Sequence, residues 1–300
     1  MSVDDRNWFQ LIFDFRSSVI PGVFGQVLVL VIFAALVSLA NQNGLPLSAI
    51  DSDSIGSLIP ELVLGLLLVF RTDAAYTRFW EGSGIISDIV DLSRSLARSI
   101  WVYVDADDEA AEQEKIAHTR IVGLFLASVK QHLRSENVDA PMQALLTDGQ
   151  TKELQEVNHM PLRITQWLSV YLKKMRQKGK LSDIMFTELN KILDQLTLSM
   201  GSCERILGTP LPLAYAIHLK HLLFLYFLTV PFKLVATLGW LTPLAVGVIA
   251  FALLGIEEIG LEIENPFGYD PNDLPLDEQA QELRDDIEEI IAGKIQPVSD

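Results

Sequence analysis

One cysteine, Cys203, stands in 300 residues, so no internal disulfide and no cysteine-built metal centre can form. Basic residues are scarce as well: 23 Lys and Arg face 39 Asp and Glu, a formal net charge of −16. Phosphate contacts need a basic face, so nucleic acid is not an expected partner. The five histidines (His118, His132, His159, His218 and His221) are scattered, and no H-E-x-x-H joins any of them. No P-loop, G-x-G-x-x-G or G-x-S-x-G occurs. Residues 202–205, SCER, could be imagined as a nucleophile cluster, but a cysteine on the apolar face of a helix is far more often core. The expectation is a protein that is not an enzyme.

What the chain has is apolar length. Hydrophobic residues make up 49%, the mean hydropathy is +0.28, and the surplus is clustered. Residues 23–40, VFGQVLVLVIFAALVSLA, are eighteen long with Gln26 as the one strongly polar member, enough for a spanning helix. Asp4 and Asp5 precede it and its apolar run starts late, so it reads as a retained helix rather than a cleaved signal. Arg6 and Arg16 lie before it and no Lys or Arg follows in residues 41–57, which predicts a cytosolic N-terminus.

Residues 55–80, IGSLIPELVLGLLLVFRTDAAYTRFW, begin apolar and turn charged at Arg71, with nothing there to break a helix. A spanning helix carrying Pro60 and Glu61 should face protein or water, not lipid, as a pore-lining helix does. Residues 222–256 hold one charge, Lys233, in thirty-five positions and are too long for one span. Gly239, Trp240 and Pro243 mark the turn between spans at about 213–235 and 242–262.

Between the span pairs, residues 71–205 carry 17 of the 23 Lys and Arg, as cytosolic sequence should. Ile85, Ile89, Leu92, Leu96 and Ile100 recur at helical spacing, so the rod should continue past Ile100 until the acidic residues 105–114. Residues 115–134, 161–177, 182–207 and 277–291 are further amphipathic helices, and residues 135–160 read as a mostly irregular connection. The predicted fold class is therefore all-α. Residues 1–70 hold an N-terminal segment and spans one and two (about 23–40 and 55–70), and 71–211 a cytosolic helical region. Residues 212–262 hold spans three and four, and 263–300 a cytosolic acidic loop and helix. A soluble all-helical protein would have to bury two long segments apolar on every side.

Two features rise above this background. Ile55, Ile59 and Val63 form an apolar ladder at i, i+4, i+8, which is either ordinary packing or a hydrophobic constriction. Glu262, Asn265, Asp270 and Asp273 lie in a Pro/Gly-turned loop, either a solvated cap or oxygen ligands for a hard cation.

Three segments resemble the bestrophin family, above all its bacterial and plant-organelle branch. They are FRTDAAYTRFWEG at 70–82, CERILGTPLPLAY at 203–215, and ENPFG at 264–268 running on to NDLPLD at 272–277. Their signature residues here are Arg71, Tyr76, Arg78, Trp80, Pro212 and Pro266. The resemblance implies a homopentameric channel with four spanning helices per subunit and one axial pore lined by the second span. It implies a neck at Ile55, Ile59 and Val63, and a second aperture at the cytosolic exit near Ile184. Val63 replaces a commonly aromatic position and Pro60 falls one turn late, which leaves Leu58, Leu62 and Leu66 as the alternative register. Animal members hold calcium in a clasp, which would correspond here to Glu262, Asn265, Asp270 and Asp273; calcium is the one cofactor the resemblance admits.

The expected function is passive conduction of monovalent anions, chloride and by extension bicarbonate or nitrate. The alternatives are a monovalent cation channel and a non-conducting membrane scaffold. Expected partners are further copies of the chain, the lipid bilayer and the permeant ions. The expected location is the cell membrane, multi-pass with both termini cytosolic, with a thylakoid or other internal membrane as the alternative.

Overall fold

A computed structural model describes residues 18–45 and 58–293, with side chains in the second stretch from Glu61 onward. Every regular element among them is helical. The elements are α1 (Ile20–Gln42), α2 (Leu58–Tyr103), α3 (Glu109–Gly123), α4 (Phe125–Arg134), α5 (Ala140–Gln143) and α6 (Asp148–Glu156). They continue with α7 (Met160–Gln177), α8 (Asp183–Gly208), α9 (Leu213–Leu238), α10 (Thr242–Glu262) and α11 (Leu276–Ile291), a 3-10 turn at Gly239–Leu241 joining α9 to α10. The chain divides into two compact units, residues 1–79 with 210–273 and residues 80–209 with 274–300.

The first unit is built from helices apolar around their whole circumference. α10 lies along α1, and α9 packs on both. Small residues let the backbones close: a Cβ on Gly247 would sit 3.0 Å from Val31 Cγ2. Val23, Leu64, Leu68, Leu219, Leu223, Phe227, Ala250 and Leu254 form the core, with Ala34, Val230 and Val246 as a satellite. The outward surface stays apolar: Phe24, Val29, Phe224, Leu244 and Val248 are all exposed, as lipid contact would require. Gly239 ends α9 at φ +50°, a backbone region that favours glycine.

By length and composition two stretches among the described residues can cross a membrane, Ile20–Gln42 and a run within Asp183–Glu262, which contains α9 and α10. The apolar half of α2 is not among them. Between Glu61 and Arg71 only nine uncharged residues remain, short of the about 20 a lipid-facing span needs. Lys233 of α9 and Glu61 of α2 pair with each other, Lys233 Nζ donating to Glu61 Oε1 at 3.1 Å.

The second unit is centred on α4, whose residues Phe125–Gln131 and Leu133 are buried. Around it pack α3, α7, α8 and α11. Residues 115–134 form two helices rather than the single one predicted. The chain breaks at Leu124, whose N–H turns to Ile121 O at 3.1 Å. Residues 135–160, predicted irregular, carry α5 and α6 because polar residues cap them. Asp139 Oδ1 accepts the Met142 N–H, and Thr147 forms a reciprocal capping box with Gln150.

Candidate functional site

The anchor of α2 begins with one buried arginine. Arg71 is 2% exposed, and its Nη1 donates to Glu257 Oε1 on α10 at 2.9 Å. Lys220 Nζ of α9 reaches the same oxygen at 2.9 Å, so one buried carboxylate serves two cations. Such a group is retained only when it is paired. Two helical turns on, Arg78 Nε donates to the Glu264 carbonyl at 3.1 Å. The Glu264 carboxylate accepts the Leu211 N–H at 3.0 Å, just before Pro212 opens α9. Tyr215 closes the set by donating its hydroxyl hydrogen to Leu67 O at 2.7 Å. The three sequence segments that carry the family resemblance thus meet around Arg71, Arg78 and Glu264.

These bonds fix the rotation of α2. Leu64, Leu68, Arg71 and Ala75 face inward and are buried. The opposite side is an apolar stripe with nothing over it among the described residues: Leu62 is 73% exposed, Leu66 51%, Val63 44%, and Val69 and Phe70 are also open. Of the proposed neck, Ile55 and the Ile59 side chain lie outside the described residues. Val63 lies on one flank of the stripe and Leu62 on the other, with Leu66 between them. The described members of both registers therefore share the same open face. Ile184, in the first turn of α8, is 76% exposed. Tyr76 and Trp80 present most of their surface, and Pro266 sits in the turn that buries Phe267.

The loop after α10 spends its oxygens on itself. Asn265 Oδ1 accepts the Phe267 N–H at 3.4 Å, Asp273 Oδ2 accepts the Asp270 N–H at 2.7 Å, and Glu262 Oε2 accepts from Asn272 at 2.7 Å. Glu262, Asp270 and Asp273 do not bring their carboxylate oxygens within 4.8 Å of one another. As arranged, the four residues fit an internally bonded turn better than a calcium shell, and no step below runs through calcium.

Glu257 and Lys220 were the least legible members of this site. The one signal for Glu257 was an acidic pair, Glu257 and Glu258, at the end of an apolar run, where membrane helices place functional charge.

Comparison with known proteins places the whole arrangement. The family model described as "Bacterial/Fungal Bestrophin protein" matches residues 1–289. A protein of Nostoc sp. named voltage-dependent anion channel-forming protein is 43% identical over 97% of this chain and 94% of its own length. Its namesake in Synechocystis sp. is 43% identical over 95% and 92% respectively. The crystal structure of a bacterial bestrophin homologue from Klebsiella pneumoniae shares the fold at a TM-score of 0.78, with 24% identity over 90% of this chain and 98% of that one. An all-helical membrane protein whose signature segments converge on one arginine-anchored helix, this chain belongs to the bacterial and fungal bestrophin family.

Proposed function

We propose that the chain assembles as a homopentameric, multi-pass channel that passes monovalent anions, chloride foremost, through a neck lined by α2. The observation that carries this is the division of the α2 surface. One side is locked by Leu64, Leu68 and the Arg71–Glu257 pair, while the other leaves Leu62, Val63, Leu66, Val69 and Phe70 open. Copies of the chain around an axis would turn that stripe into an apolar ring, with Ile55, Ile59 and Val63 as its narrowest part. An apolar ring offers an ion no hydrogen bonds, so it gates by wetting and drying. Weakly hydrated anions such as iodide or thiocyanate lose least on entering it. Ile184 would form the cytosolic aperture, and both termini would lie in the cytosol beneath the cell membrane. The anionic sign rests on the names borne by the two relatives at 43% identity.

A specific observation favours a second reading, a monovalent cation channel. Beyond Phe70 the same helical spacing brings Asp73, Asp88 and Asp91, all exposed, and the chain carries −16 overall. An acidic vestibule concentrates cations. Planar-bilayer recording of the purified protein under a KCl gradient separates the two. Reversal near the chloride equilibrium potential is the expected result. Reversal near the potassium potential makes it a cation channel, and failure of liposomes to dissipate any ion gradient makes it a scaffold.

A further inference from the structure

Two of the histidines that look scattered in the sequence come together in the structure. His132 leaves the last turn of α4, His159 is the N-cap of α7, and Glu204 lies near the end of α8. His132 Nε2 is 2.8 Å and His159 Nε2 3.3 Å from the same oxygen, Glu204 Oε1. The two imidazoles stack at 4.2 Å with 22° between their planes. All the donor atoms fall within 4.8 Å of one another, the one such group of three among the described residues.

We propose that His132, His159 and Glu204 form a binding site for a divalent transition metal, zinc by preference. Two ligands held 2.0–2.1 Å from a tetrahedral zinc are roughly 3.3 Å apart, and the two nitrogen-to-carboxylate separations already lie close to that. Two imidazoles and one carboxylate are a donor set that suits zinc or copper, not the all-oxygen set of calcium or magnesium. The side chains are 21%, 29% and 40% exposed, so an ion can enter and a water can complete the fourth position. Three ligands from three helices also make the ion a staple across α4, α7 and α8.

Binding rearranges one proton. His159 Nδ1 accepts the Leu162 N–H at 3.3 Å, which leaves its own hydrogen on Nε2, toward Glu204. With metal on Nε2 that hydrogen moves to Nδ1, and the long cap to Leu162 is released.

The test uses the full chain in detergent, stripped with chelator and titrated with zinc chloride or cobalt(II) chloride alone. One zinc per chain with a Kd at or below about 1 µM is expected, with a raised melting temperature and the intense visible absorption of tetrahedral cobalt. His132→Asn, His159→Asn and Glu204→Gln should each weaken binding by at least about tenfold, whereas a His218→Ala/His221→Ala variant should bind as before. The wild-type cobalt spectrum reads out coordination even where a variant folds poorly. Absent or octahedral cobalt absorption, zinc binding weaker than about 100 µM, or binding lost only in the His218/His221 variant overturns the proposal. None of these readouts depends on ion conduction.

Discussion

Cys203, Glu204 and Arg205 are neighbours in the chain with three separate environments. Cys203 is fully buried, and burial pushes its thiol up to about 12, which removes it as a nucleophile at neutral pH. Glu204 meets two histidines, and Arg205 Nη2 donates to Glu81 at 2.6 Å. The energetic weight of a single side chain is greatest at Arg71. Arg71→Met removes the better-buried cation from Glu257, which is itself 4% exposed, and leaves only Lys220, 55% exposed, to balance it. Breaking a buried pair from one side costs about 3–5 kcal/mol. Thermal unfolding in detergent should show that loss, and Arg71→Met/Glu257→Met should recover much of it because no buried charge is left alone. Equal destabilisation by the single and double variants would show that the pair is not what holds α2.

At the scale of elements, α11 shows how an acidic segment is held. Leu276, Ala280, Leu283 and Ile287 form its buried line. Its charges reach basic partners on three helices: Arg94 to Asp286, Arg120 to Glu288, and Lys130 with Arg134 to Asp277. The hydrogen bond from Lys130, with help from Arg134, holds the Asp277 carboxyl below its ordinary value of 3.8. A depressed carboxylate adds stability that is complete above that value and is lost as pH falls through the lower, folded one. Asp277 is 67% exposed, so the contribution stays within about 1 kcal/mol. Asp277→Asn should therefore speed hydrogen exchange across residues 276–291 at pH 7, and the difference from wild type should vanish in strong acid. Unchanged exchange would leave the apolar line as the sole attachment of α11. That line was legible beforehand, because its i, i+4, i+7 spacing is local. So were α9 and α10, whose limits follow from apolar length and a turn at Gly239. The α3–α4 break at Leu124 was not legible, since the buried sequence on both sides of it is helical in pattern. Nor was the His132–His159–Glu204 group, whose members lie 27 and 45 residues apart in sequence and meet only through the packing of α4, α7 and α8.

At the scale of the whole molecule the proposed channel poses one question, which line of α2 would narrow its pore, and the anchored rotation makes it decidable. With Leu64, Leu68 and Arg71 turned inward, the point directly opposite on the helix falls between Leu62 and Val63, one described member of each proposed ladder, Leu58–Leu62–Leu66 and Ile55–Ile59–Val63. Symmetry multiplies that small difference, because each position recurs once per copy around the axis. Truncating the ladder that faces the axis removes a ring of branched side chains at three successive levels. The neck then wets more readily, and the barrier set by dewetting falls. Truncating the other ladder removes side chains from a helix flank and affects packing between copies instead. Ile55→Ala/Ile59→Ala/Val63→Ala is thus expected to raise conductance or open probability sharply in a bilayer while the assembly stays intact by light scattering. Leu58→Ala/Leu62→Ala/Leu66→Ala is expected to weaken assembly with little gain in current. The reverse pattern would move the neck to the leucines, and unchanged currents in both intact assemblies would move the gate away from α2 toward Ile184.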